Sequence, residues 1–355
     1  MSEHIAIKSS IRDYQVKFSD SLESNLEEIV QSGDYLIVDQ NVVSLHEDLR
    51  SLLSRFDNII YIEAIENTKS YQSIIPYFEE LISNGFKRNN RLIAIGGGIT
   101  QDTTAFMASI LYRGVDWIFF PTTLLAQADS CIGSKTSINF KKYKNQLGNF
   151  YPPKLIFIDP SYLNTLDERA IRSGIGEMAH YYYVSGENDV EFFENEFEEA
   201  LDDQSNLKKL IKKSLTIKKE YIEIDEFDQN ERLVFNYGHT FGHAIESITD
   251  YRIPHGVSVT FGMDMANFVS WKKGYISIEV YQRARNVYQK IWEDYDISNI
   301  DISELISAME KDKKNERGKL GLILTKGWGK MFKDLTEPND LFKSWMEDYI
   351  NNYQI

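Results

Sequence analysis

RLIAIGGGITQD, residues 91–102, is an apolar run that ends in three glycines and then turns polar. A short apolar run bounded by glycine reads as a buried strand. Consecutive glycines let the backbone approach a ligand closely, and the N-terminus of a following helix favours phosphate. The pattern is not G-x-G-x-x-G, so the Rossmann fingerprint is absent and a ligand-free tight turn remains an alternative.

Outward from this stretch, the same rhythm repeats. YLIVDQ (35–40), NIIYIEAI (58–65), DWIFFPTT (116–123) and KLIFID (154–159) read as strands. SYQSIIPYFEELISNGF (70–86) has apolar residues at helical spacing and ends near Gly85. The alternation predicts a Rossmann-like α/β nucleotide-binding domain over residues 1–160. From about Ser161 long amphipathic stretches dominate, at 190–202, 207–223, 231–248, 258–274 and 279–297. They predict a mostly α-helical domain over 161–355, with KLGLILTKGWG (319–329) as a strand or hairpin. The active site is expected between the two domains.

The bulk numbers bound the function. The 355 residues are 42% hydrophobic and 26% charged, an ordinary globular composition. A net charge of −15 argues against nucleic acid or an anionic membrane as partner. An anionic substrate would need a local cluster of cations. The single cysteine, Cys131, allows no internal disulfide and fits a reducing compartment. The N-terminus lacks the pattern of a signal peptide, and no apolar run reaches the ~18 residues of a membrane span. The expected location is the cytoplasm. PTTLLAQADSCIGSKTSIN (121–139) is dense in small polar residues and suits the floor of a cleft.

Two of the six histidines lie one helical turn apart in NYGHTFGHAIES (236–247), each preceded by glycine. Spacing i, i+4 puts His239 and His243 on one face. Thr240 stands where a zinc-protease motif needs glutamate, so that reading fails. His255 follows in IPHGVSV, and Glu177 in SGIGEMAHYY could complete a set. Two histidines and a carboxylate make an ordinary catalytic zinc site. Separate, individually satisfied histidines are the alternative.

Taken together, the chain resembles the 3-dehydroquinate synthase superfamily, the sugar phosphate cyclases. The resemblance rests on ordered blocks: ENTK (66–69), GGGITQD (96–102), YRG (112–114), PTTLLAQADSCIGSKTSIN (121–139), KNQLGNFYPP (144–153), RSGIGEM (172–178), the run from Lys218 through Asp225, Glu226, Arg232 and Asn236 to Glu246, HG (255–256) and DKKN (312–315).

The resemblance implies roles. Glu177, His239 and His255 match metal ligands, for zinc or cobalt. His243 matches a histidine beside the substrate that assists proton movement. Asp129, Lys135, Lys144, Asn145, Lys218, Arg232 and Asn236 match substrate-contacting positions, and Lys313 or Lys314 adds a cation. Arg113 matches an arginine that reaches the neighbouring subunit's substrate in a homodimer. Lys69, Gly97, Gly98, Asp102, Thr122 and Thr123 match NAD-binding segments. The implied reaction oxidises a secondary alcohol of a seven-carbon keto-acid phosphate with NAD, eliminates phosphate, reduces the carbonyl again and closes the ring by an aldol step. A metal lowers the pKa of the alcohol, cations orient the phosphate, and a histidine relays protons near neutrality.

Five positions depart from the family pattern, among them Ser134 and Ser137. His180 stands where a lysine is common, Gln101 where a glycine is, GSKTS where GGKTG is, and Val257 where a glutamate is. If that lysine binds the substrate carboxylate, His180 admits a cyclase acting on another sugar phosphate, such as sedoheptulose 7-phosphate; His180 is carried as a substrate-side position. Metal-dependent alcohol dehydrogenases of the glycerol dehydrogenase type share the glycine loop and metal histidines but lack the KT.IN…KN and DKKN blocks. A non-catalytic binding protein is the third alternative, and the retained ligands and cations argue against it.

Overall fold

The structure, a computed structural model, describes residues 4–141, 143–312 and 315–352. The chain forms two compact units, Met1–Leu166 with Lys218–Asp228, and Asp167–Ile217 with Gln229–Ile355.

The first unit is built on a seven-stranded sheet. Its strands are β1 (His4–Ile7), β2 (Tyr14–Phe18), β3 (Tyr35–Asp39), β4 (Ile59–Ile62), β5 (Leu92–Gly96), β6 (Trp117–Pro121) and β9 (Leu155–Ile158), in the order β1-β2-β9-β6-β5-β3-β4. Only β1 and β2 pair antiparallel. A separate hairpin joins β7 (Ile138–Phe140) and β8 (Tyr143–Leu147). The helices are α1 (Leu22–Ile29), α2 (Gln40–Leu45), α3 (Glu47–Leu53), α4 (Tyr71–Ser83) and α5 (Gly98–Ile110).

The central strands read as unbroken apolar runs because both of their faces are covered. Every residue of β3, β5 and β6 is buried. Leu36, Val38, Ile93, Ile95, Ile118 and Phe120 share a core with Leu22 and Leu26 of α1 and Leu49 and Leu52 of α3. The chain steps outward from β3 to β4, then returns to the other side of β3 as β5. Parallel sheets bind ligands outside the carboxyl ends of their strands at such a reversal. Those ends are Asp39 and Gly96, so the topology places the glycine loop where a ligand is expected.

The second unit is mostly helical, as the amphipathic stretches predict. It comprises α6 (Glu168–Ser185), α7 (Glu187–Glu196), α8 (Glu199–Asp202), α9 (Gln204–Ile224), α10 (His239–Ile248), α11 (His255–Lys272), α12 (Ile278–Trp292), α13 (Ile302–Met309) and α14 (Asp340–Asn352), with a hairpin of β10 (Leu320–Thr325) and β11 (Met331–Thr336). The end of α9, from Lys218, clusters with the first unit. Residues Gly256–Ser270 of α11 are all buried, so this helix is the centre against which α6, α10 and α12 pack. The stretch 231–248 is two elements, a 3-10 helix Glu231–Asn236 and then α10, parted at Gly238, whose φ of +80° is left-handed. Among the described residues no helix is long and apolar enough to cross a membrane.

Candidate active site

Three helices of the second unit deliver the acid and the histidines. Glu177 lies in the middle of α6, His239 and His243 in the first turns of α10, and His255 begins α11. Glu177 is 4% exposed. Its Oε1 lies 3.4 Å from Nε2 of His239 and its Oε2 3.3 Å from Nε2 of His255. An ordinary N–H···O bond spans ~2.7–3.2 Å, so these contacts are long. Ligand atoms ~2.0–2.1 Å from one tetrahedral ion sit about 3.4 Å apart, which these separations match.

The far nitrogens are already committed. Nδ1 of His239 donates to the carbonyl of Tyr237 at 3.2 Å, and Nδ1 of His255 donates to Oε2 of Glu246 at 2.9 Å. Both acceptors take the Nδ1 proton, so in the neutral ring the lone pair lies on Nε2. This is the outer support that orients metal-binding histidines. Oε2 of Glu177 is buried with no hydrogen-bond partner among the described residues. Burial opposes its charge, but His239, His255 and His180 together hold the carboxyl well below the ordinary range. Burial likewise opposes the charge of His255, and Glu177 and Glu246 raise its pKa well above the usual value. The residues therefore fit a divalent cation: one anionic oxygen pair and two oriented imidazoles.

Glycines set the spacing of these helices. A Cβ on Gly256 would fall 1.8 Å from the carbonyl oxygen of Ser173 and 2.7 Å from the nitrogen of Glu177. One on Gly242 would fall 2.9 Å from the carbonyl oxygen of Ser258. The backbones of α6, α10 and α11 thus touch beside Glu177, His239 and His255, which explains the glycines next to the histidines of α10 and α11.

Of the remaining candidates of this unit, His243 and His180 lie beside the set. His243 is exposed, its ring centroid 5.4 Å from His239 and 5.6 Å from His255. The donor atoms of His239, His243 and His255 lie within 4.8 Å of one another. His180 is 1% exposed, with Nδ1 3.8 Å from Oε1 of Glu177 and its ring 5.2 Å from that of His239. Arg232 is buried and Asn236 half-buried, its amide donating to the carbonyl of Leu233. Lys313 and Lys314 lie outside the described residues. The motif contains Glu246, but its role became visible only with its partner.

In the first unit, Gly97 caps α5 without a side-chain bond, leaving the first-turn amides to another acceptor. A Cβ on Gly98 would meet nothing nearer than Ser130 Oγ at 3.9 Å, so the helix start is open. The hydroxyls of Thr100, Thr104 and Thr122 are buried with no hydrogen-bond partner among the described residues. The Thr122 amide bonds the carbonyl of Gly96, and the Thr123 hydroxyl accepts from the Ala126 amide. Open backbone at the start of α5 and orphaned hydroxyls on α5 and after β6 fit a dinucleotide. Asp102 pairs with Lys69 at 2.7 Å; burial lifts its carboxyl to about 6 while Lys69 pulls it down.

The cations of this unit are held in different ways. Lys218 is buried, and its ammonium donates to both the carbonyl and Oδ1 of Asp129 at 2.6 Å. Asp129 sits on a π-helical turn, Ala126–Ser130, a local form frequent at functional sites. Lys135 is half exposed and pairs with Asp228 at 2.5 Å. Lys144 and Asn145 are exposed on β8, and Asn145 is left-handed with φ of +54°. Arg113 is exposed beyond α5, also left-handed at +67°.

Two of the departures have structural counterparts. Gln101 and Ser130 exchange hydrogen bonds, each at 2.6 Å, so the longer side chain braces the turn that carries Asp129. Ser134 is left-handed with φ of +65°, where glycine would be unstrained, and its hydroxyl donates to Glu226 at 3.0 Å.

Comparison with known proteins covers the chain in two adjoining pieces. The family described as 3-dehydroquinate synthase N-terminal matches residues 59–173, and that described as 3-dehydroquinate synthase C-terminal matches 174–315. A 3-dehydroquinate synthase of Thermoanaerobacter sp. (strain X514) is 36% identical over 93% of this chain and 96% of its own length. One of Dictyoglomus thermophilum is 39% identical over 81% and 82%. A crystal structure of 2-deoxy-scyllo-inosose synthase complexed with carbaglucose-6-phosphate, NAD+ and Co2+ superposes with a TM-score of 0.86 at 23% identity, covering 98% of this chain and 99% of that one. At that identity the likeness establishes the fold.

Proposed function

The chain belongs to the 3-dehydroquinate synthase family, and from that premise we propose that it converts 3-deoxy-arabino-heptulosonate 7-phosphate to 3-dehydroquinate, releasing phosphate with no net redox change. The observation that carries the reading is the Glu177, His239 and His255 set, with both Nδ1 atoms tied away and both Nε2 atoms turned to one carboxylate.

These three residues would hold zinc or cobalt, and Lys69, Gly97, Gly98, Asp102, Thr122 and Thr123 would hold NAD. When bound, the ion supplies a Lewis acid for a substrate hydroxyl oxygen and the dinucleotide a reversible hydride acceptor. The protein's own groups do the rest. Lys135 and Lys144, both open to solvent, supply positive charge for the phosphate in an acidic chain. Asn145, Arg232 and Asn236 orient the substrate's oxygens, and His180 lines the acid end of the set. Lys218 fixes the Asp129 carboxylate. His243, exposed beside the ligand histidines, takes up and returns protons.

His180 favours a second reading, a cyclase for a sugar phosphate without a carboxylate, because its buried ring replaces a lysine. Incubating the protein with NAD and zinc, and comparing the heptulosonate phosphate with sedoheptulose 7-phosphate, separates the two. Phosphate release from the first alone supports the primary assignment; release from the second alone transfers the assignment to the alternative.

The enzyme is assigned to the cytoplasm, where a lone thiol such as Cys131, pushed to about 12 by burial, stays reduced. A homodimer is proposed from the match of Arg113, an exposed arginine on a left-handed turn, to the family's cross-subunit position. Sedimentation showing only monomer at working concentration would rule the dimer out.

A further inference from the structure

Hairpin β7–β8 carries Lys144 and Asn145, yet every residue of β8 is exposed and Asn145 holds a left-handed backbone. A two-stranded hairpin has little stability of its own. Polar side chains fix this one. Asn139, 7% exposed, lies at an irregularity in the hairpin ladder. Its amide NH2 donates to Oε1 of Glu66 at 2.7 Å and to the Glu66 carbonyl at 3.2 Å. Its backbone amide donates to the carbonyl of Lys69 at 2.8 Å. Its Oδ1 accepts from the backbone amide of Asn145 at 2.9 Å. The Asn145 side chain in turn accepts from the buried Lys69 ammonium at 2.7 Å, and the same ammonium bonds Asp102 at 2.7 Å.

We propose that Asn139 is a positioning residue: anchored by Glu66, it clamps the Asn145 amide and so sets the hairpin that presents Lys144 and Asn145 to the substrate. This rests on the assignment of that hairpin to substrate binding. Only a side chain with a donor on one side and an acceptor on the other satisfies both neighbours, and asparagine has that polarity. Lys69 extends the same network to Asp102, so the hairpin and the helix after the glycine loop share one buried cation.

Reversing the polarity of the pair is the test. Asn139→Asp keeps the acceptor for Asn145 but sets a carboxylate against Glu66. The double variant Asn139→Asp with Glu66→Gln restores the side-chain donor and acceptor in exchanged places and forgoes only the 3.2 Å bond to the Glu66 carbonyl. Hydrogen exchange of the hairpin is read without substrate, and steady-state kinetics are read at saturating NAD and metal. Loss of one charge-assisted hydrogen bond predicts about tenfold faster exchange at the Asn145 amide, about tenfold higher KM for the heptulosonate phosphate, and kcat within about threefold. The double variant is expected to return to within about threefold of wild type in both. Wild-type exchange and KM in Asn139→Asp, or a folded double variant that stays tenfold impaired, overturns the inference. The double variant is purified separately, so it decides even if Asn139→Asp does not fold. If wild type fails to turn over the substrate, the functional assignment falls, while the exchange result still judges the clamp.

Discussion

Nδ1 of His255 donates to Oε2 of Glu246 at 2.9 Å, and that bond turns Nε2 of the same ring toward Glu177. The proposed metal set is therefore oriented by a residue outside it. Glu246→Ala is expected to weaken zinc or cobalt binding ~10–100-fold without unfolding the helices, as for other outer-shell partners. Chelator competition measures it; unchanged affinity would mean that the ring is oriented by packing alone.

The two histidines of α10 are predicted to separate by role. His239→Ala should lose the metal. His243→Ala should keep it at full occupancy and lower kcat by ~10²–10⁴, the usual worth of a proton-transfer group. Metal analysis beside kinetics tests the split, and equal metal loss in both variants contradicts it.

A pH dependence follows from Asp102. Its folded pKa of about 6, raised by burial, lies above the ~3.9 of an unfolded aspartate, so between these values the folded state holds a proton that the unfolded chain has released. The stability it contributes is full below ~3.9 and is lost as pH rises through about 6. Wild type should lose stability relative to Asp102→Asn across that window and run parallel to it above. Denaturant unfolding of the metal- and NAD-free proteins checks this, and a pH-independent difference would count against it.

Ser134 combines a strained backbone with a useful hydroxyl. Glu226 receives the hydroxyls of Ser9, Ser10 and Ser134 and the amide of Ser10, which hold its carboxyl below the ordinary range against burial. Ser134→Ala keeps the left-handed strain and loses the bond, costing about 1–3 kcal/mol. Ser134→Gly loses the bond but relieves the strain, so it should be the more stable of the two. The reverse order in thermal unfolding would show that Ser134 is unstrained.

What could be read in advance depended on how far apart the partners lie in the chain. Strands at 35–40, 58–65, 91–98, 116–123 and 154–159 were legible because parallel strands covered on both faces are apolar without interruption. The antiparallel pair β1–β2 was not, since its short strands alternate buried and exposed residues. Helix α6 was obscured by Gly174 and Gly176, the second of which serves close packing against α11 rather than a turn. The histidine pair is a local signal of helical spacing. The Glu246 bond to His255 crosses a turn, and Ser134 meets Glu226 across 92 residues, so neither contact leaves a periodic trace.

Purified protein with zinc and a catalytic trace of NAD is given 3-deoxy-arabino-heptulosonate 7-phosphate, and phosphate release is recorded together with nicotinamide absorbance. The predicted result is phosphate release over many turnovers per NAD with no accumulating NADH. Stoichiometric NADH formation, or no phosphate at all, would contradict the assignment of this chain as a cyclase of that substrate.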